Sequence, residues 1–297
     1  MSRPNGKPLR SLFGKSRFAE EKRELPWLYP ARSVQSIKIA LQVGEIRLIV
    51  DRTKTLEIKT TRIIRARRKE IARALMDESQ EAVEFSDRTI TLTDRLPSYV
   101  VDSKEEVTVN VIVEIHAPPG LTVSTSVVQG ETELQGSFAY LTCRSEAGPI
   151  RLKQLKVRKS VVITAGTGVV ELDGTMGDLT ISVNNGDIRC DRVTLNEATV
   201  CTLQTQNGFI KAVLTRLPKS ELLCQSGNGD VAVQVPGNSK MTATVMTANG
   251  KAKCAWNIPK GNRALGDTGA VFAGVVNDGG TMVQIQTAVG NATLDKT

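Results

Sequence analysis

The sequence predicts an all-β fold: a β-solenoid (β-helix-like) stack of strand–turn–strand units of about 20 residues, preceded by a β section with one helix. The first observation is a recurring frame, with apolar residues seven and five places before a glycine and two and four places after it. Its glycines are Gly44, Gly130, Gly148, Gly168, Gly186, Gly208, Gly229, Gly250 and Gly290. The second is their spacing: from Gly130 to Gly250 the steps are 18, 20, 18, 22, 21 and 21 residues, and Gly290 follows after 40. The third is that Asn precedes the glycine in four successive units, at Asn185, Asn207, Asn228 and Asn249. Apolar residues alternate with polar ones on both sides of each glycine, the period-2 pattern of a strand with one buried face. A run of β-hairpins would also use Asn-Gly turns, but it gives no reason for a fixed repeat.

Residues 1–30 read as a disordered basic tail. Arg3, Lys7, Arg10, Lys15 and Arg17 precede the first acid, Glu20, and no apolar core of secretory-signal length is present. An acid-free start with Arg and Ser also has a faint likeness to an organelle transit peptide. Residues 31–117 read as a β section. It opens with the frame Ile37, Ile39, Gly44, Ile46, Leu48, continues with a strand around Leu56 and Ile58, and then enters a helix over about 66–80, where Ile71 and Leu75 lie one turn apart. Strands follow over Val83–Thr93 and Val107–Ile115. Pro118, Pro119 and Gly120 break the pattern and mark entry into the repeats of residues 118–297. Around Gly186 the frame holds Leu179, Ile181, Ile188 and Cys190. A Gly-rich stretch at about 257–280 reads as a loop before the last unit.

Asn enters left-handed backbone cheaply, so Asn-Gly makes a tight turn. In parallel units stacked ~4.8 Å apart, the four Asn side chains would also form an amide ladder. Both readings stay open at this point. The five cysteines, Cys143, Cys190, Cys201, Cys224 and Cys254, all occupy core slots of the frame, and none forms a C-x-x-C pair. Structural thiols in a reducing compartment are expected, and no cofactor or metal site is assigned.

Composition agrees with a slim all-β stack, with 40% hydrophobic residues but only 4% aromatic. There is no apolar run of transmembrane length. The net charge of +8 divides into +5 for residues 1–117 and +3 for the remainder. Two stretches concentrate it: Arg62, Arg65, Arg67 and Arg68 near the helix start, and Arg151, Lys153, Lys156 and Arg158 in the repeats. They are candidate contacts for an anionic partner, against the plainer reading of a solvated face that guards a strand edge. No aromatic residues interleave with them, so a protein or envelope component is the expected partner rather than nucleic acid.

Catalysis finds little support. Asp187 and Asp230 follow turn glycines two units apart, ~9.6 Å in a regular stack, near the upper separation for an inverting glycosidase. No third acid aligns with them, and Asp after Gly is ordinary turn chemistry. The single histidine, His116, would have to serve any Ser-His or Cys-His system.

The Ala-Pro-Pro-Gly entry at Pro118 to Gly120, with turns at Asn185-Gly186-Asp187, Asn207-Gly208 and Asn228-Gly229-Asp230, resembles the bacterial putative adhesin domain family of unknown function over residues 31–297. The resemblance implies a β-helical fold and no catalytic residues. The function expected is a non-catalytic scaffold or interaction protein, with possible self-association through the solenoid ends. The alternatives are an envelope- or carbohydrate-binding adhesin exported without a visible signal and, as a minor one, a polysaccharide-acting enzyme. A cytoplasmic location is expected, with peripheral membrane association or leaderless export as variants.

Overall fold

The computed structural model describes residues 18–95, 106–257 and 269–297. The elements, in chain order, begin with strands β1 (Ala19–Pro30), β2 (Ser36–Val50) and β3 (Thr55–Ala66), then helix α1 (Lys69–Glu78). Strands β4 (Gln80–Ser86), β5 (Thr89–Arg95), β6 (Val107–Ala117), β7 (Leu121–Ala147), β8 (Ile150–Thr167) and β9 (Val170–Asn185) follow. Next come β10 (Ile188–Leu195), β11 (Val200–Asn207), β12 (Ile210–Arg216), β13 (Glu221–Asn228) and β14 (Val231–Val235). The chain ends with β15 (Met241–Asn249), β16 (Ala252–Cys254), β17 (Ala270–Val276), β18 (Thr281–Val289) and β19 (Ala292–Lys296).

Each frame glycine sits at the bend of one coil, with a first arm before it and a second arm after it. First arms stack in parallel on first arms: Leu141 pairs with Val161, Val161 with Leu179, Leu179 with Cys201, and Cys201 with Leu222. Second arms do the same, as in Ile150, Val170, Ile188, Ile210 and Val231. The side chains at the frame slots of both arms point into one continuous interior, where Ile163, Ile181, Ile188, Leu203 and Ile285 are wholly buried. Thr125 and Thr132 fill two slots around Gly130 where the frame calls for apolar residues, and both are buried.

The glycine requirement is physical. Gly168 has φ +142, and a Cβ there would run into the carbonyl oxygen of Gly148 in the adjoining coil. The same contact with the neighbouring glycine carbonyl repeats at each frame glycine from Gly130 onward, and Gly44 meets Val111 in that way. Polar side chains three places before several of these glycines serve the same row. Thr205, Ser226, Thr287 and Thr247 donate to the carbonyls of Gly186, Gly208, Gly229 and Gly290 at 2.8–2.9 Å.

Coils do not stack in chain order throughout. The last coil, β18 and β19 around Gly290, lies between the coils of Gly229 and Gly250: Ile285 pairs with Cys224 on one side and with Val245 on the other. At the other end, the β section is continuous with the column, since Gly44 pairs with Gly130 and Val111 with Gly44. Residue 118 is therefore a turn within one stack.

Three further expectations are corrected. Residues 19–30, assigned to the tail, form β1, whose Leu25, Trp27 and Tyr29 alternate with exposed residues and which pairs antiparallel with β3. Proximity of a half-apolar segment to an open sheet edge outweighs its charge, while residues 1–17 lie outside the described residues. The strand expected over Val83–Thr93 is a hairpin, β4 and β5, turning at Asp87 and Arg88 with φ 49 and 60. Within the Gly-rich stretch, Ala270–Val276 forms β17, antiparallel to β15; residues 258–268 lie outside the described residues. The helix runs over Lys69–Glu78 and buries Ala72, Leu75 and Met76 against β1 and β3.

Candidate interaction surface

Two outward faces run the length of the column, one on each set of arms, and they differ in chemistry. The second-arm face is charged and internally paired. Arg151 bridges Glu131 and, at 3.4 Å, Glu171; Arg189 reaches Glu171 at 3.1 Å and Asp187 at 3.3 Å; Lys153 holds Glu133 at 2.6 Å. All but Arg189–Asp187, which lies within one coil, link neighbouring coils. Exposed pairs of this kind contribute at most about 1 kcal/mol each, so their main effect is to cancel the charge of the face.

The first-arm face carries Lys38 in the coil of Gly44, the Arg144–Glu146 pair in the coil of Gly148, and Asp178 and Glu221 where β9 and β13 enter their coils, but its middle is uncharged. From the coil of Gly168 to that of Gly250 its outward positions run Val162, Thr164, Gly166, then Thr180, Ser182, Asn184, then Thr202, Gln204, Gln206, then Leu223, Gln225, Gly227. Gln284, Gln286, Ala288 and Thr244, Met246, Ala248 complete it. With 24% of the chain charged, roughly four charges belong among these positions, yet none is present. Gln204 donates to Gln225 at 3.3 Å, and the missing side chain of Gly227 leaves a shallow cleft of about 500 Å³ among Ser182, Asn184, Gln206 and Asn228.

The asparagines at the glycine edge form a ladder over three coils. Asn207 Nδ2 donates to Asn185 Oδ1 at 2.9 Å, and Asn228 Nδ2 to Asn207 Oδ1 at 2.8 Å. Asn249 is outside it, because the inserted last coil places Val289 between Asn228 and Asn249.

The basic residues singled out in the sequence do not form one surface. Arg62 is buried and ion-paired with Asp94, so it is unavailable to a partner; it belongs to the inward row of β3 with Thr60 and Ile64. Arg65 pairs with Glu20 at 2.7 Å and Arg67 with Glu106 at 3.0 Å. Arg68 occupies the N-cap position of α1 and makes no side-chain cap bond there. Arg151 and Lys153 belong to the paired face. Lys156 and Arg158 border a cleft of about 490 Å³ on the edge opposite the glycines, beside Ser137, Thr175, Asn196 and Glu197. The acids that pair with these charges are remote in sequence: 20 residues away on the neighbouring coil for Arg151 and Lys153, and 32, 45 and 39 residues away for Arg62, Arg65 and Arg67.

The candidate catalytic groups are occupied structurally. Asp187 Oδ1 accepts the Phe209 N–H at 3.2 Å, and Asp230 Oδ1 accepts the Asn291 N–H at 2.7 Å, each closing a turn onto the following coil of the stack. His116 Nδ1 lies 3.4 Å from Asp51 Oδ2 at the end of β6. All five cysteines are free. Burial pushes the Cys143 and Cys190 thiols up to about 12 and those of Cys201 and Cys224 well above their ordinary range, the opposite of what a nucleophile needs. Cys254 is half-buried because β16 is the last strand of the second-arm stack. Among the described residues no group of three or more His, Cys, Asp or Glu is placed to hold a metal, and no helix is long and apolar enough to cross a membrane.

Residues 30–262 match the family model described as Toastrack DUF4097. No curated protein matches the chain. Among solved structures, the chain is similar to a putative adhesin from Bacteroides fragilis NCTC 9343, at 12% identity, covering 93% of this chain and 97% of that one with a TM-score of 0.47. It is also similar to a putative adhesin from Parabacteroides distasonis ATCC 8503, at 12% identity, 96% and 98% coverage and a TM-score of 0.36. A third is a putative cell adhesion protein from Clostridium sporogenes ATCC 15579, at 11% identity, 93% and 100% coverage and a TM-score of 0.29.

Proposed function

The chain belongs to the Toastrack DUF4097 family, and from that premise we propose that it is a non-catalytic interaction scaffold whose contact surface is the uncharged middle of the first-arm face. The observation that carries this reading is the contrast between the two outward faces. Solvent exposure alone favours charged side chains on both, yet one face is charged and self-paired over the coils of Gly130 to Gly186, while the middle of the other, from the coil of Gly168 to that of Gly250, presents neutral hydroxyl, amide, small and apolar groups. Neutral side chains lose less on desolvation than ions do when a partner covers them. The column itself supplies rigidity, so a partner meets a preformed array at low ordering cost. The partner is a protein or an envelope component. The five free cysteines favour a reducing compartment, and under this proposal the protein works in the cytoplasm.

The test is proximity labelling in cells with the chain fused to a labelling enzyme. Gln204→Glu with Gln225→Glu places charge on the neutral face, and Lys211→Glu on the other face serves as the control. Loss of the labelled partner set with the first variant and its retention with the second is expected. Equal retention by both rules out this face.

A second reading, favoured by the amide and hydroxyl groups around the Gly227 cleft, is an exported binder of neutral envelope polysaccharide. Cell fractionation separates the two. Recovery outside the inner membrane, with binding to neutral but not acidic polysaccharides on a glycan array, supports the second.

A further inference from the structure

The column has two ends, and among the described residues only one of them is guarded against strand addition. At the N-terminal end, β1 is an edge strand interrupted by Pro26 and Pro30, which have no N–H to donate, and its exposed side includes the Lys22–Glu24 ion pair. Proline and charge are how edge strands resist pairing with another chain. Beside it, β4 carries the exposed Glu84, and its Phe85 ring lies 5.5 Å from that of Tyr29.

At the C-terminal end the first-arm stack finishes at β17, Ala-Val-Phe-Ala-Gly-Val-Val. Among the described residues β17 pairs with β15 alone. It carries no charge and no proline, and Val275 is 65% exposed. In an antiparallel ladder alternate residues turn their N–H and C=O groups away from the existing partner, leaving roughly three or four of each along the free edge of β17.

From this we infer that β17 pairs antiparallel with β17 of a second copy, making a closed tail-to-tail dimer about a two-fold axis through Ala273. Centring the pairing on Ala273, the midpoint of the strand, uses its whole length. On the inward side this register sets Phe272 opposite Gly274 of the second copy and Val276 opposite Ala270, large against small in each case. On the outward side it sets Val271 opposite Val275. The strand is therefore complementary to itself in volume, polarity and direction, as an isologous interface requires. The guarded N-terminal end makes the head-to-tail alternative, an open filament, the disfavoured one. This dimer is independent of the contact face proposed above. What does rest on that reading is a consequence: the two uncharged regions would lie on one continuous sheet as a bivalent unit.

Sedimentation velocity of the native chain across a concentration series is expected to show a dimer of twice the 32.1 kDa chain. Ala273→Lys places two like charges opposite each other on the axis, and because Ala273 is exposed it is expected to give folded monomers whose thermal midpoint matches that of the native chain diluted to its monomeric range. Ala273→Cys, in a background carrying Cys254→Ser, brings two thiols together on directly opposed residues about 4.5–5.5 Å apart at Cα, within disulfide reach. Mild oxidation is expected to give a covalent dimer in high yield. A native chain still monomeric at about 1 mM, a concentration at which weak specific association is detectable, overturns the inference, as it would if the edge were covered by the chain's own residues. So does a dimer that survives Ala273→Lys, or one that Ala273→Cys fails to cross-link.

Discussion

Two rows of positive-φ residues run along this column, and they tolerate different side chains. One is the glycine edge, where Gly130, Gly148, Gly168 and Gly186 have φ of 146, 130, 142 and 156. The other is a row of bulges halfway along the second arms, Gly136, Gln154, Gly174 and Arg192, with φ of 116, 50, 119 and 49. Register shifts mark it, between Gln135 and Ser137, Leu152 and Leu155, and Asp191 and Val193. At the first row the backbone lies in a region essentially restricted to glycine, and a carbonyl of the next coil fills the space a Cβ would need. At the second, Gln154 and Arg192 occupy the left-handed helical well, which an L-residue enters at a cost of about 1–2 kcal/mol. Both rows bend the chain. In the first every member is a glycine pressed against the next coil, whereas in the second that close approach is confined to Gly136 and Gly174, which face Val50 and Leu155, and the row admits Gln154 and Arg192 between them.

The largest effect should therefore come from Gly186→Ala. The added methyl meets the Gly168 carbonyl on the adjoining coil, and relieving that contact means parting two coils. The backbone hydrogen bonds between those coils, among them Gly168 N–H to Asn185 O at 3.0 Å, resist the movement. A loss of about 4 kcal/mol or more in chemical denaturation is expected, at the extreme of single-site effects. A loss under about 1 kcal/mol would show that the glycine edge is no tighter than the bulge row, and the distinction between them would fall.

Alkaline pH should have an intermediate effect, reporting on the interior between the two rows. Burial raises the folded-state thiols of Cys143 and Cys190 to about 12, whereas an unfolded thiol titrates near 8.5–9. Below the unfolded value both states are protonated, and the stabilising contribution is complete. As the pH climbs from about 9 towards 12, the unfolded chain releases these protons and the folded chain keeps them, so each buried thiol removes about 1.4 kcal/mol of stability per pH unit. The slope of unfolding free energy against pH should flatten in the double variant Cys143→Ala, Cys190→Ala. An unchanged slope would mean that the thiols reach solvent in the native state. At neutral pH a thiol reagent should label Cys254 at once and the other four only as the protein unfolds.

The difference between the rows also explains what could be read in the sequence. A position that accepts glycine alone repeats as glycine, so the solenoid, its coil spacing and the inward register of Ile163, Ile181 and Ile188 were legible. A position that accepts Gly, Gln or Arg leaves no such mark, and the bulge row was invisible. Stacking order is equally silent, because the coils of Gly229, Gly290 and Gly250 share one frame and nothing local says which lies beside which. That is why Asn249 looked like a fourth member of the amide ladder. The candidate surface suffered from a related blindness. Arg151 and Lys153 stand out as a basic run, but whether such a run attracts an anion depends on the neighbouring coil, which here supplies Glu131, Glu133 and Glu171. The burial of Arg62 was hidden for the same reason: its partner Asp94 is 32 residues away on β5.

The smallest effect, and the one most specific to the comparison, is expected from Arg192→Gly. The side chain is largely exposed, and its nearest acid, Asp191, is 3.8 Å away with both groups in solvent, so its removal forfeits almost no electrostatic energy. Glycine relieves the left-handed strain of about 1–2 kcal/mol and costs about 0.5–1 kcal/mol through the freer unfolded chain. The difference leaves a net stabilisation of roughly 0.5–1 kcal/mol. The readout is an upward shift of the urea midpoint at unchanged slope, the signature of altered stability without altered compactness. The sign is what matters, since the same pair of residue types exchanged at the glycine edge should move stability the other way and several times further. A destabilised Arg192→Gly would mean that the bulge is held by its side chain, and the two rows would then differ in their contacts and not in their backbone.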